Sequence, residues 1–214
     1  MLYNIRDIVC KTKQWGMLPF FKGEIEDFSI EELITPDCWF QDNDGGYGVW
    51  DWKNDIILDA DCAYGKFYRG RACFVSMEWF PELMNWRRSQ YKPTSDEEVL
   101  LSIVQEHNSL LTREMKKLCG YSTRPPKRKG FDTATTHLQM GCRLISANFE
   151  YSYARDGHRY GWSVARMCTP EDFFGAERLK PHCTPQESRI RLMEHMHSIL
   201  PHATERQIER FVDH

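Results

Sequence analysis

The sequence predicts an α+β protein built around a winged helix-turn-helix, and three observations predict it. Apolar residues recur at helical spacing in three short segments between residues 95 and 141. Two strand-like runs, RLISANFEYSY and RYGWSVARM, follow at once. Asp156-Gly157 joins them, a dipeptide that favours a tight hairpin turn. The order helix, helix, basic loop, helix, long hairpin assigns residues 93–168 to the winged unit. Residues 1–92 read as an N-terminal α+β region, and 169–214 as C-terminal helices packing back on the core.

Each element has a local reason. Asn4 can cap a first helix running to Gln14, with Ile5, Ile8 and Val9 as its apolar stripe and Gly16 as its stop. Ser29 and Glu32 have the spacing of a capping box. QDNDGGYG (41–48) is a turn-rich loop, and GKFYRGRACFV (65–75) a hairpin turning near Arg69-Gly70. Pro81 suits the first turn of a helix through PELMNWRR. Ser95, with Glu98 three residues on, opens the next helix, which Val99, Leu100, Ile103 and Val104 carry to His107. A second helix opens at Thr112 and closes at Gly120. STRPPKRKG (122–130) is a basic loop whose prolines stop any helix, and a third helix runs from near Asp132 to Gly141.

Bulk composition narrows the function classes. At 41% hydrophobic and 28% charged the chain reads as a globular protein, and no apolar run approaches the about 20 residues of a membrane span. Eight cysteines lie far apart with no C-x-x-C pair, which argues against structural zinc and for reduced thiols in the cytoplasm. The net charge of -3 hides two regions of opposite sign. Residues 20–61 carry twelve acidic side chains against Lys22 and Lys53; residues 113–143 carry eight basic ones against Glu114 and Asp132. Phosphate contacts depend on local charge, so the basic stretch is the candidate nucleic-acid surface, with a merely solvated face as the plainer alternative.

On a wheel of about 100° per residue, Phe131, Ala134 and Leu138 share the buried side of the third helix. Thr133, Thr136, Gln139 and Met140 fall opposite. Thr and Gln suit a major groove because they donate and accept hydrogen bonds, and Gln can pair two-pronged with adenine. Arg113, Lys116, Lys117, Arg124, Lys127, Arg128 and Lys129 would then lie along phosphates. Arg155, His158 and Arg159 sit at the hairpin tip, in reach of a minor groove or backbone. A two-residue type I′ turn at Asp156-Gly157 would pair Tyr153 with Tyr160, Tyr151 with Trp162 and Phe149 with Val164. That register puts the large apolar residues on one face, docked on the domain.

Catalytic signals are sparse. Asp51 and Asp55, beside Trp50 and Trp52, are the best candidates for base-excising chemistry: a carboxylate to orient water, an aromatic ring to stack a base. The plainer reading is an exposed acidic turn beside two core tryptophans. His195 and His197 point about 200° apart on a helix and cannot share one ion, so no metal site is expected, and the sequence has no nucleotide-binding loop.

LLTREMKKLCGY, KGFDTATTHLQM, ISANFEY and YGWSVARM together resemble the winged-helix module of the AlkZ-type (YcaQ-like) DNA glycosylase family. LPFFKGEIEDFSIEE and DCAYGKFYRGRACFVSMEWFPELMNWRR extend the likeness over nearly the whole chain, to the small branch of AlkZ-related proteins. The resemblance implies winged helices, DNA as partner, and a setting in DNA repair or DNA binding. It also implies that any catalysis removes alkylated bases without metal or cofactor. The family's catalytic signature is Gln-x-Gln or Gln-x-Asp. None of the glutamines at 14, 41, 90, 105, 139, 186 and 207 has Gln or Asp two positions later. The expectation is therefore a DNA-binding protein, repair-associated or regulatory. The alternatives are a monofunctional, cofactor-independent DNA glycosylase and a winged helix used for protein contacts.

Overall fold

The computed structural model describes residues 1–39, 48–59, 61–121 and 130–213. The basic-loop residues Arg124, Lys127, Arg128 and Lys129, and nearly all of the QDNDGGYG stretch, lie outside the described residues. Among those described, the chain is mixed α+β, with ten α-helices and two small antiparallel sheets.

The first part runs α1 (Ile5–Trp15), β1 (Met17–Pro19), α2 (Ile30–Leu33), α3 (Val49–Asp59), β2 (Cys62–Tyr68), β3 (Arg71–Ser76) and α4 (Phe80–Gln90). Asn4 caps α1 by accepting the Asp7 N–H, and Gly16 ends it at φ +73°. The first sheet has the order β1-β3-β2. Tyr68 faces Arg71 across a two-residue turn in which Arg69 (φ +51°) and Gly70 (φ +74°) are both left-handed, the type I′ pattern.

The second part runs α5 (Ser95–Glu106), β4 (Ser109–Leu111), α6 (Thr112–Leu118), α7 (Phe131–Met140), β5 (Ile145–Tyr153) and β6 (Arg159–Cys168). Its sheet has the order β4-β6-β5. The cap of α5 is Thr94, one residue earlier than the sequence suggested, with Glu97 rather than Glu98 closing the box. Pro93 precedes it, and Thr94 is extended at ψ 164°, as a cap must be. Leu100, Val104, Met115, Phe131, Leu138 and Met167 bury one another between the three helices and the sheet.

The chain ends with α8 (Pro170–Phe174), α9 (Pro185–Ile199) and α10 (Glu205–Asp213). A larger apolar cluster draws Met17, Phe67, Leu83, Ile145, Leu192 and Phe211 together, so both sheets and the last helices share one core. The fully buried Arg87 pins this junction. Its guanidinium donates to the carbonyl oxygens of Phe67 (2.8 Å), Met140 (3.0 Å), Phe211 (2.6 Å) and Val212 (3.0 Å). Those carbonyls belong to β2, α7 and α10, so one cation fixes how the three elements meet.

Candidate functional site

A cleft of about 390 Å³ opens between α3 and the β5–β6 hairpin. Residues 49–59 form a helix, so Asp51 and Asp55 do not lie on an exposed acidic turn. The helix buries Val49, Trp52, Ile56 and Ile57 against the first sheet. Helical spacing then turns Trp50, Asp51, Asn54 and Asp55 toward the hairpin, and all four line the cleft. Asn54 Oδ1 accepts the Phe149 N–H at 2.8 Å, which fastens the helix to the strand.

Asp51 is the hub of the cleft. Its Oδ1 accepts from the Tyr151 hydroxyl at 2.7 Å and from Arg159 Nη1 at 3.0 Å, and its side chain is 11% exposed. The Arg159 guanidinium also lies 4.0 Å over the Tyr151 ring. Burial, and then the Asp51 carboxylate, push the Tyr151 phenol above its ordinary value. Lys53 is buried beside them. Its Nζ donates to the Trp50 carbonyl oxygen and lies 4.0 Å from the centre of the Trp50 ring and 4.6 Å from that of Phe149. Burial pushes this amine down to about 8, against the opposing pull of Asp51.

The hairpin tip departs from the expected register. Ala154 N–H donates to His158 O (2.8 Å), Gly157 N–H donates to Ala154 O (3.0 Å), and within the loop only Gly157 takes positive φ (+85°). This is the three-residue form, a turn followed by a left-handed glycine, and not type I′. The type I′ turn would force Asp156 left-handed, a strained region for a non-glycine residue. Asp156 instead accepts the His158 N–H on its carboxylate at 3.1 Å. Tyr153 therefore faces Arg159, Ser152 faces Tyr160, Glu150 faces Val164 and Phe149 faces Ala165. Between them the register shifts: Tyr151 stands opposite the stretch Gly161 to Ser163, with Gly161 at φ +70°. The expected pairs Tyr153–Tyr160, Tyr151–Trp162 and Phe149–Val164 do not form.

The slip splits the aromatic residues. Phe149 and Tyr151 turn toward α3, while Tyr153, Tyr160 and Trp162 are 62%, 59% and 70% exposed. The continuous docked aromatic face expected from the sequence is absent from this hairpin. Trp162 still touches Trp50 edge-on at 5.6 Å. Arg155, His158 and Arg159 all lie on the exposed tip.

The outward face of α7 has the opposite fate. Gln139 is buried, and its Oε1 accepts the Lys66 N–H at 3.1 Å while its Nε2 donates to Thr135 O at 3.1 Å. It therefore cannot read a base edge. Thr136 accepts from Lys66 Nζ at 2.9 Å, and a Cβ placed on Gly70 would lie 3.2 Å from Thr136 Cγ2. The β2–β3 hairpin thus covers the C-terminal half of this face, because the backbone of β2 is satisfied by Gln139. Thr133 stays exposed. Phe131, Ala134 and Leu138 are buried, as their spacing implied.

On α6, Arg113 and Lys117 are exposed, whereas Lys116 pairs with Asp132 at 3.2 Å and lies 4.8 Å from the Phe131 ring centre. Lys53, Asn54, Tyr151 and Asn148 were not read from the sequence as site residues. For Lys53 and Asn54 the signal is a polar stripe on residues 50–55, visible once that stretch is read as helix; Asn148 and Tyr151 on β5 carry no such signal. Among the described residues, no group of three or more His, Cys, Asp or Glu side chains is placed to hold a metal ion. Among them, too, no helix is long and apolar enough to cross a membrane.

A family model described as AlkZ related matches residues 2–213. No curated protein and no solved structure matches the chain.

Proposed function

The chain belongs to the AlkZ-related family, and from that premise we propose that it is a winged-helix DNA-binding protein, repair-associated or regulatory, that meets DNA chiefly through its wing. The order α5, β4, α6, α7, β5, β6, with the sheet ordered β4-β6-β5, supports the winged-helix reading. One observation carries the DNA contact. The β5–β6 hairpin presents Arg155, His158, Tyr153, Tyr160 and Trp162 to solvent at one tip. Cations there attract phosphates, and exposed rings can stack on bases or wedge between them. Arg113 and Lys117 on α6 and the Arg124–Lys129 loop would extend the positive surface. Thr133 is left as the one member of the proposed α7 groove-reading set that is fully exposed.

Fluorescence anisotropy of a labelled duplex, titrated at several salt concentrations, tests this. The reading expects binding that weakens steeply as salt rises. Binding that is absent at low salt would leave the protein-contact role instead.

The cleft favours a second reading, base removal. Its volume of about 390 Å³ is lined by Trp50, Phe149 and Tyr151, which can stack on a base, and by the Asp51 carboxylate. Asp51 held by Tyr151 and Arg159 would take the place of the missing Gln-x-Gln or Gln-x-Asp pair, and Asp55 would be its neighbour. Release of free base from alkylated DNA, lost in Asp51→Asn, is the outcome that would establish it. An inactive protein that still binds DNA would exclude it.

A further inference from the structure

Lys53 is an unusual side chain for the place it occupies. A lysine amine normally remains in water, because desolvating its charge is costly. Here it lies at the wall of the cleft, flanked by the Trp50 and Phe149 rings, with a backbone carbonyl as hydrogen-bond acceptor. Charged and titratable groups face the cleft from every element around it: Asp51 and Asp55 on α3, Glu150 and Tyr151 on β5, and Arg159 on β6. We propose that Lys53 is a nucleophilic amine that forms a Schiff base with the aldehyde of a phosphorylated deoxyribose, as exposed at an abasic site in DNA. The choice of DNA as the source of that sugar rests on the DNA-binding reading above; the aldehyde chemistry of the amine does not.

The step balances with the groups at hand. The Lys53 ammonium first gives its proton to solvent. The nitrogen lone pair then attacks the aldehyde carbon, and the carbonyl oxygen takes up a proton to give a carbinolamine. Loss of water, whose oxygen is the former carbonyl oxygen, leaves a C=N bond between the sugar and Nζ. Asp51 and Tyr151, already joined by a 2.7 Å hydrogen bond, are placed in the same cleft to shuttle those protons. Arg159, with a side chain 39% exposed, offers a cation to the sugar phosphate. A desolvated amine is the recognised way to make lysine nucleophilic near neutral pH. With its value near 8, roughly one amine in ten is neutral at pH 7, a far larger share than for a solvated lysine.

The experiment uses the full chain with two probes. One is 2-deoxyribose 5-phosphate, the other a labelled duplex carrying a single abasic site; each is incubated with borohydride, which reduces an imine to a stable amine. Mass spectrometry should place the reduced sugar on Lys53, with yield rising as pH climbs toward 8. Lys53→Arg, which keeps the charge but not the nucleophile, should lose at least ten-fold of the adduct while retaining its circular dichroism and DNA affinity. Adducts scattered over exposed lysines, or undiminished in Lys53→Arg, would overturn the proposal. So would a duplex that binds but is never captured, together with no sugar on Lys53; that outcome leaves the DNA-binding reading intact. Sugar captured on Lys53 without any duplex binding would support the amine chemistry and defeat the DNA reading instead.

Discussion

The outward face of α7 and the tip of the β5–β6 hairpin belong to the same helix-and-sheet unit, yet one is covered and the other reaches into solvent. Both are polar or basic in sequence. The difference lies in what packs beside them. The β2–β3 turn, type I′ and therefore tightly twisted, lays Lys66 and Gly70 against Thr136 and Gln139. Among the described residues the tip is less covered: α3 holds Arg159 through Asp51 and meets Trp162 edge-on, yet Tyr153, Tyr160 and Trp162 remain mostly exposed. Part of the outward face of α7 is thus spent on holding the first sheet. On the proposed function, DNA contact is therefore expected at the β5–β6 hairpin.

Breaking the junction should give the largest effect. Arg87→Met removes a buried cation that satisfies four carbonyl oxygens on three elements. Chemical denaturation should report a loss of about 3–5 kcal/mol, since buried acceptors lose their partner without gaining water. A loss under about 1 kcal/mol would mean that the cover over α7 does not depend on this junction.

Changing the tip comes next. Arg155→Ala, His158→Ala and Arg159→Ala combined should weaken duplex binding roughly 10- to 100-fold at moderate salt and flatten the salt slope by about 2. Arg159 also holds Asp51, so the pair Arg155→Ala with His158→Ala is the variant that should leave thermal stability little changed. The basic loop offers the matching arm. Lys127→Ala, Arg128→Ala and Lys129→Ala together should flatten the slope as well if that loop runs along phosphates. An unchanged slope in both would remove phosphate contact from these two places.

A smaller effect is pH-dependent. Burial alone would raise the Glu97 carboxyl, but hydrogen bonds from the Thr94 N–H and hydroxyl and from His137 oppose it, and the carboxyl is held below its ordinary value. A lowered carboxyl contributes stability above its unfolded value of about 4.3, and loses that contribution as pH falls through the lower folded value. Glu97→Gln should thus cost about 1–2 kcal/mol at pH 7, and the two proteins should converge as pH drops well below 4. Because Glu97 holds His137 of α7 at 3.3 Å, this variant loosens α7 from the α5 side and leaves the tip alone. A cost that stays constant with pH would contradict the assignment. The smallest effect belongs to Thr133→Ala: duplex affinity should change less than about two-fold, because one exposed hydroxyl beside a covered face adds little.

Local signals in the sequence were good guides where one or two residues decide the outcome. Asn4 and Gly16 bracket α1, Arg69-Gly70 turns the β2–β3 hairpin, and Pro81 opens α4. Asp156-Gly157 was a weaker guide, because an Asp-Gly pair fits both a two-residue turn and a three-residue loop. The side-chain bond from Asp156 to His158 N–H favours the second, and every pair along the strands moves with it. The cover on α7 could not be read from spacing at all. Gln139 meets Lys66 across 73 positions of sequence, and nothing near Gln139 distinguishes a groove-facing amide from one that satisfies a strand. The cleft was half legible: Asp51 and Asp55 were visible as carboxylates beside tryptophan. Tyr151, Arg159 and Lys53 joined them only when α3 proved to be a helix packed on β5.

The central claim is that DNA touches the wing and leaves the outward face of α7 covered. Hydrogen–deuterium exchange of the full chain, with and without a bound duplex, tests it most directly. The account predicts that DNA slows exchange across residues 151–162 and leaves residues 131–140 unchanged. Protection that appears on 131–140 while the hairpin tip exchanges as in the free protein would contradict it.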